Sequence, residues 1–260
     1  MTRKTVAEII AAHELDGERL AKVEAMPDPA HTYIIATLPR SGSKLLAEVM
    51  TETKRLGRPD DRLDATAIRG NLRNAPARNP DEYLRNVLRA SATRNGVAGL
   101  MTGWQQFNSF GRLLGNRRPL LEARYIHLTR RDQYAQAVSL YTSTAAKPGA
   151  PAAAEPDYDY ARIARCHERL RTMEVGWQRF FDQHRITPLS ITYEDIETDV
   201  YAVVKRVVAF LGLPIGKLGA GAAPVLQQRG ERSSVVWAAR FMLEHDAESR
   251  RAAPPSPASP

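Results

Sequence analysis

Thr32-Tyr-Ile-Ile-Ala-Thr-Leu-Pro-Arg-Ser-Gly-Ser-Lys-Leu-Leu46 joins an apolar, β-branched run to a short polar loop and then to a helical pattern. The run ends at Pro39, the loop is Arg40-Ser-Gly-Ser43, and Leu45, Leu46 and Val49 open the helix. Strand, tight loop and helix N-terminus, in that order, make an anion site, because free backbone N–H groups and the positive end of the helix dipole face one point. Gly42 lets the backbone approach closely, Ser41 and Ser43 add hydroxyls, and Arg40 adds a forked cation. A Walker-type loop needs two glycines five apart followed by Lys-Ser/Thr, and only Gly42 is present. A Ser-Gly turn that binds nothing is the competing reading of the loop taken alone.

Working outward, short β-rich runs alternate with helical patterns. Strands are expected at 33–38, 97–101, 125–129 and 189–192. Helices are expected at 43–53, 81–93, 131–145, 158–183, 200–211 and 233–244. The alternation predicts an α/β fold with a central parallel sheet flanked by helices. Ligands of such sheets bind at the carboxyl ends of strands, which is where the Arg40 loop falls. Arg124-Tyr-Ile-His-Leu-Thr-Arg-Arg-Asp-Gln-Tyr-Ala-Gln-Ala-Val-Ser139 repeats the strand, turn and helix order. Its Arg131 and Ser139 are eight residues apart, a little over two helical turns.

Pro39-Arg-Ser-Gly-Ser-Lys-Leu-Leu46 resembles the 5′-phosphosulfate loop of sulfotransferases, enzymes that use 3′-phosphoadenosine-5′-phosphosulfate (PAPS). The loop differs from the family pattern in carrying Lys44 where a threonine is usual. The second segment is similar to the one that holds the cofactor's 3′-phosphate. Several stretches resemble the bacterial trehalose 2-sulfotransferase-like branch: Asp132-Gln-Tyr-Ala-Gln-Ala-Val-Ser139, Gly57-Arg-Pro-Asp-Asp61, Trp104-Gln-Gln106, and Ile186 to Ile196 followed by Phe210-Leu-Gly-Leu-Pro214. The resemblance runs from about residue 32 to 241 and implies a P-loop-like sulfotransferase fold. It implies that Arg40, Ser41, Gly42, Ser43, Lys44 and Leu45 hold the phosphosulfate, with Arg131 and Ser139 on the 3′-phosphate. Gln228 to Phe241 is similar to a further family segment, and through it Arg229 or Arg232 is expected to reach the same phosphate.

The implied reaction is sulfuryl transfer from PAPS to a hydroxyl of a carbohydrate or glycolipid by in-line displacement, with no metal. Arg40 and Lys44 would stabilise charge on the bridging oxygen, and a carboxylate must take the acceptor's proton. The family's base aligns with Asp61; Asp60, Asp64 and Glu52 remain rivals. Trp104 and Gln106 match the acceptor segment, where the family's lysine is Met101. The indole would stack on a sugar or pack in the core. Two other readings stay open: a nucleotide-binding relative with weak catalysis, and a small-molecule kinase using the same loop.

The chain of 260 residues suits one enzyme-sized domain, expected at 31–246. Residues 1–30 form an N-terminal helical extension, and 247–260 a disordered Pro/Ser/Ala tail. Residues 145–156 read as a low-complexity linker, with a lid as the alternative. The single cysteine, Cys166, excludes an internal disulfide and suits a reducing compartment. No apolar run approaches a membrane span and no signal peptide is evident, so a cytoplasmic protein is expected. The net charge of +8 is dispersed rather than gathered in a nucleic-acid-binding element, and a tetra-anionic ligand would use part of it. The resemblance also implies a homodimer.

Overall fold

The structure, a computed structural model, describes residues 5–145, 156–214 and 232–252. In chain order its elements are α1 (Val6–Ala11), α2 (Gly17–Glu24), β1 (His31–Thr37), α3 (Ser43–Glu52), β2 (Asp60–Asp61), α4 (Ala65–Asn71), α5 (Pro80–Ser91) and β3 (Val97–Gly103). There follow α6 (Trp104–Gly111), α7 (Arg118–Leu121), β4 (Arg124–Thr129), α8 (Gln133–Ala145), α9 (Tyr160–His184), β5 (Leu189–Thr192), α10 (Tyr193–Phe210) and α11 (Arg232–Ala252). The chain divides into two units, Met1–Thr129 with Met173–Leu226, and Arg130–Thr172 with Gln227–Pro260.

The first unit holds the sheet. Its five strands are parallel in the order β2-β3-β1-β4-β5, so the expected α/β class with a central parallel sheet is borne out. β1 lies in the middle and is buried from Tyr33 onward, which is why its sequence is apolar without alternation. The chain places β2 and β3 on one side of β1, then β4 and β5 on the other. The carboxyl end of β1 is therefore the topological switch point, the place where open α/β sheets take ligands.

Each face of the sheet has its own packing. On one, Leu46, Val49 and Met50 of α3 and Val203, Val204 and Val207 of α10 bury Tyr33, Ile35, Ile126, Leu128 and Ile191. The other carries an aromatic layer from α6, β4 and the second half of α9. There the wholly buried Trp177 stacks on Phe181 at 5.7 Å and lies 4.8 Å from Phe107. Rings of this size bury ~150–250 Å² each and dominate the local energetics. The expected N-terminal helices are present. Thr5 and Glu8 form a capping box on α1, Asp16 caps α2, and both pack within this unit against α4 and α5.

In the second unit α8 packs along α11. The Tyr134 ring stacks on His167 at 5.5 Å, and Tyr158 and Tyr160 donate to Glu244 and Glu248 on α11. Phe241 is the buried residue at the centre of this cluster.

The structure corrects several boundaries. Asp60 and Asp61, outside every expected element, lie in a short edge strand. Tyr193-Glu-Asp195, which fell between the expected strand at 189–192 and the expected helix at 200–211, is the first turn of α10, started by a Thr192–Asp195 capping box. Non-helical backbone at Asp199 then restarts the helix where one was expected from Val200. α8 begins at Gln133, two residues after Arg131, and α11 continues to Ala252, so the tail expected from 247 starts inside a helix. Arg229 and the 146–155 stretch lie outside the described residues.

The path from α3 to β2 passes Gly57, whose φ of +75° favours glycine. An added Cβ there would sit 3.0 Å from both the Gly99 nitrogen and the Val97 oxygen, backbone atoms that cannot give way. Gly57→Ala is expected to destabilise the protein by about 2–4 kcal/mol, read as a lower urea midpoint at unchanged slope.

Candidate active site

The loop after β1 turns on two residues with left-handed backbone, Arg40 (φ 65°) and Gly42 (φ 81°). For a residue with a side chain such as Arg40 that conformation costs about 1–2 kcal/mol, and such strain concentrates at ligand-binding turns. Between them Ser41 is fully buried. Its hydroxyl donates to the Leu38 carbonyl at 2.6 Å and lies 2.9 Å from the Thr37 hydroxyl. The Ser41 side chain thus locks the loop's shape, and its hydroxyl is engaged within the loop rather than turned outward as a donor. Gly42 is tight as well as left-handed, since a Cβ would lie 3.0 Å from the Tyr193 ring.

α3 starts directly on this turn. Gly42 is its N-cap and offers no side-chain hydrogen bond. The first intrahelical bond runs from the Leu46 amide to the Gly42 carbonyl, so the amides of Ser43, Lys44 and Leu45 have no partner within the helix. That gives Leu45 a place in the site through its backbone alone. α6, which leaves the adjacent strand β3, likewise starts on a glycine, Gly103, without a side-chain cap. By contrast Thr5, Asp16, Asp64, Asn79 and Thr192 cap α1, α2, α4, α5 and α10. The two helices that open beside the switch point thus start on glycines that supply no side-chain cap. Arg40 and Lys44 are exposed and Ser43 half-buried around them.

The carboxylates separate by environment. Asp61 is half-buried on β2, paired in register with Met101 of β3. Its Oδ1 is buried and has no hydrogen-bond partner among the described residues. Burial, helped by the charges of Asp64 and Asp60 and opposed by a hydrogen bond from the Leu63 backbone, pushes its pKa up to about 6. Asp64 is committed as the α4 cap, accepting from the Thr66 and Ala67 amides at 2.6 and 3.0 Å. Asp60 is exposed and accepts from the Asp61 amide, and Glu52 is exposed at the end of α3. Among the four rivals, Asp61 alone combines an uncommitted buried oxygen with a pKa near neutrality, the two properties of a general base.

Trp104 is half-buried as the first residue of α6, with its ring edge-on to Trp177 at 5.3 Å and its indole nitrogen against Gly176. Most of it belongs to the aromatic layer. Gln106 is half-buried, with its carbonyl oxygen against Gly103 at the carboxyl edge of the sheet. Met101 is in the core beneath α3 and α10.

In the second unit, Arg131 is exposed just ahead of α8 and Ser139 is half-buried two turns along it. Arg130, which the sequence reading passed over, is half-buried next to Arg131; its adjacency to the motif was the available signal. Arg232 begins α11. Among the described residues no three His, Cys, Asp or Glu side chains converge as a metal site, and no helix is long and apolar enough to cross a membrane.

Comparison with known proteins matches residues 32–244 to the family model of the Stf0 sulphotransferases. A trehalose 2-sulfotransferase of Mycolicibacterium smegmatis is 25% identical over 83% of this chain and 96% of its own length. A trehalose 2-sulfotransferase of Mycobacterium tuberculosis is 27% identical over 46% of each chain. Among solved structures, the sulfotransferase domain of the Synechococcus PCC 7002 olefin synthase is similar at 16% identity and a TM-score of 0.49, covering 90% of this chain and 92% of that one. With more than three quarters of its length matched by one family model, the chain belongs to the Stf0 sulphotransferase family.

Proposed function

We propose that this protein transfers a sulfuryl group from PAPS to a hydroxyl of a carbohydrate, with Asp61 as general base. The observation that carries the assignment of roles is the pairing of a helix N-terminus without a side-chain cap at the switch point with a half-buried Asp61 of raised pKa, its Oδ1 unpartnered among the described residues, on the same sheet. The 5′-phosphosulfate would lie on the amides of Gly42 to Leu45, with Arg40 and Lys44 supplying charge. Arg131 and Ser139, with Arg229 or Arg232, would take the 3′-phosphate. Trp104 and Gln106 would border the acceptor.

The transfer is a displacement at sulfur. The acceptor oxygen attacks as its proton passes to Asp61, the bond from sulfur to the bridging oxygen breaks, and adenosine 3′,5′-bisphosphate leaves with the electron pair. Loose transfers of this kind depend on positioning and on charge at the leaving oxygen, which the loop amides and Lys44 would supply. A glycolipid acceptor, a homodimer and a cytoplasmic location complete the reading. Exposed Val235, Val236 and Leu243 on α11 support the dimer.

Calorimetry tests the donor site. Adenosine 3′,5′-bisphosphate should bind without metal, and removal of its 3′-phosphate should weaken binding at least tenfold, as should Arg131→Ala. No preference for the 3′-phosphate would overturn the donor assignment.

Asp61→Asn is expected to lower kcat about 10²–10⁴-fold while leaving bisphosphate affinity unchanged. Wild-type kcat should rise with pH through about 6 as Asp61 ionises, and the Asn variant should lack that limb. Stability should move the opposite way. A carboxyl with its folded pKa raised favours the fold while protonated, and that contribution fades as pH rises through about 6. The Asn variant should thus gain about 1–2 kcal/mol at pH 8, allowing for solvent screening, and nothing at pH 4, as thermal melts at both pH values will show.

Lys44→Ala is expected to cost turnover about 30- to 1,000-fold and bisphosphate affinity much less. Equal losses in both would make Lys44 a binding residue only.

A further inference from the structure

A buried polar group stands in the aromatic layer, where none is needed for packing. His127 on β4 is 8% exposed, and its Nε2 lies 3.5 Å from the Oε2 of Glu174 on α9. That is an ion-pair distance but too long for a good hydrogen bond. Both atoms, and the indole nitrogen of Trp177 one turn further along α9, are buried without a hydrogen-bond partner among the described residues. The other Glu174 oxygen accepts from Gln178 at 3.0 Å. Phe181 packs on His127 at 5.3 Å and on Tyr125 at 5.5 Å, so apolar side chains would fill this place well. Unpaired buried polar atoms cost stability, and apolar replacements of buried ion pairs are often neutral or stabilising. A feature that opposes folding in a well-packed layer points to a functional demand on the position.

Its place in the fold identifies that demand. His127 is in register with Ala36 of β1, one residue short of the strand's end, and Ala36 leaves only a methyl group beside the imidazole. β4 ends two residues later at Thr129, and Arg130 and Arg131 follow without a break. A contact between the imidazole and Glu174 ties the last residues of β4 to α9, three residues before Arg130.

We propose that His127 and Glu174 are positioning residues for the strand exit that carries Arg130 and Arg131, and that through it they support recognition of the donor's 3′-phosphate. The inference rests on the reading of the protein as a PAPS-dependent sulfotransferase.

The test is calorimetry of the full chain with adenosine 3′,5′-bisphosphate and with AMP. In the His127→Phe/Glu174→Leu double variant, the preference for the 3′-phosphate should shrink about tenfold while AMP affinity stays as in wild type. Its melting temperature should be equal to or above that of wild type. An unchanged preference in the folded variant overturns the proposal, because the pair is then packing alone. Equal weakening of both ligands also overturns it, since that is general loosening. If the double variant fails to fold, Glu174→Gln, which keeps shape and loses charge, is measured against the same outcomes. Wild-type protein with no preference for the 3′-phosphate would bring down the sulfotransferase donor reading as well, and shows itself before any variant is made.

Discussion

Three amides at the start of α3 have no acceptor within their helix, and the residue in front of them is a glycine that cannot cap them. Nearly everything around the switch point preserves that arrangement. Buried Ser41 ties its hydroxyl to the Leu38 carbonyl, which holds the turn without placing a side chain over the amides. Tyr193 and Ile196 of α10 press against Gly42 from outside and would meet any larger residue there. The hydrophobic contact of α3 and α10 with the sheet keeps the helix axis aimed at the end of β1. An uncapped N-terminus forgoes about 0.5–2 kcal/mol of helix stability, and the core under α3 supplies the compensation.

The same compromise recurs at Asp61. A carboxylate half out of water beside two other acids is unfavourable for folding and favourable for accepting a proton. The neighbours define its role as much as the residue does. Asp64 is one turn away in sequence and chemically identical, yet its oxygens are occupied by the amides it caps. Environment, rather than residue type, separates the two carboxylates.

Much of this was legible in advance. The run from Tyr33 to Leu46 announced the central strand, the turn and α3, because a buried parallel strand and an amphipathic helix leave clear patterns. Asp61 could be nominated by resemblance, but its strand could not be seen, since two residues carry no periodicity. α6 was hidden because Trp-Gln-Gln-Phe-Asn-Ser-Phe-Gly contains few strong helix formers and is held in place by rings from α9. The early start of α10 was missed because Thr192 looked like a strand ending, whereas its capping box with Asp195 makes it a helix beginning. The contact between His127 and Glu174 joins positions 47 residues apart and leaves no local trace.

The anion loop springs from the central strand, whereas Asp61 sits on a two-residue strand with a single neighbour at the edge of the sheet. The two positions therefore differ in how far a change in the backbone would spread. A change in β1 reaches two neighbouring strands and both packed faces of the sheet. A shift in β2 is passed on through β3 alone, although Gly57 against the β3 backbone and buried Leu63, Ile68 and Leu72 tie this border to the core.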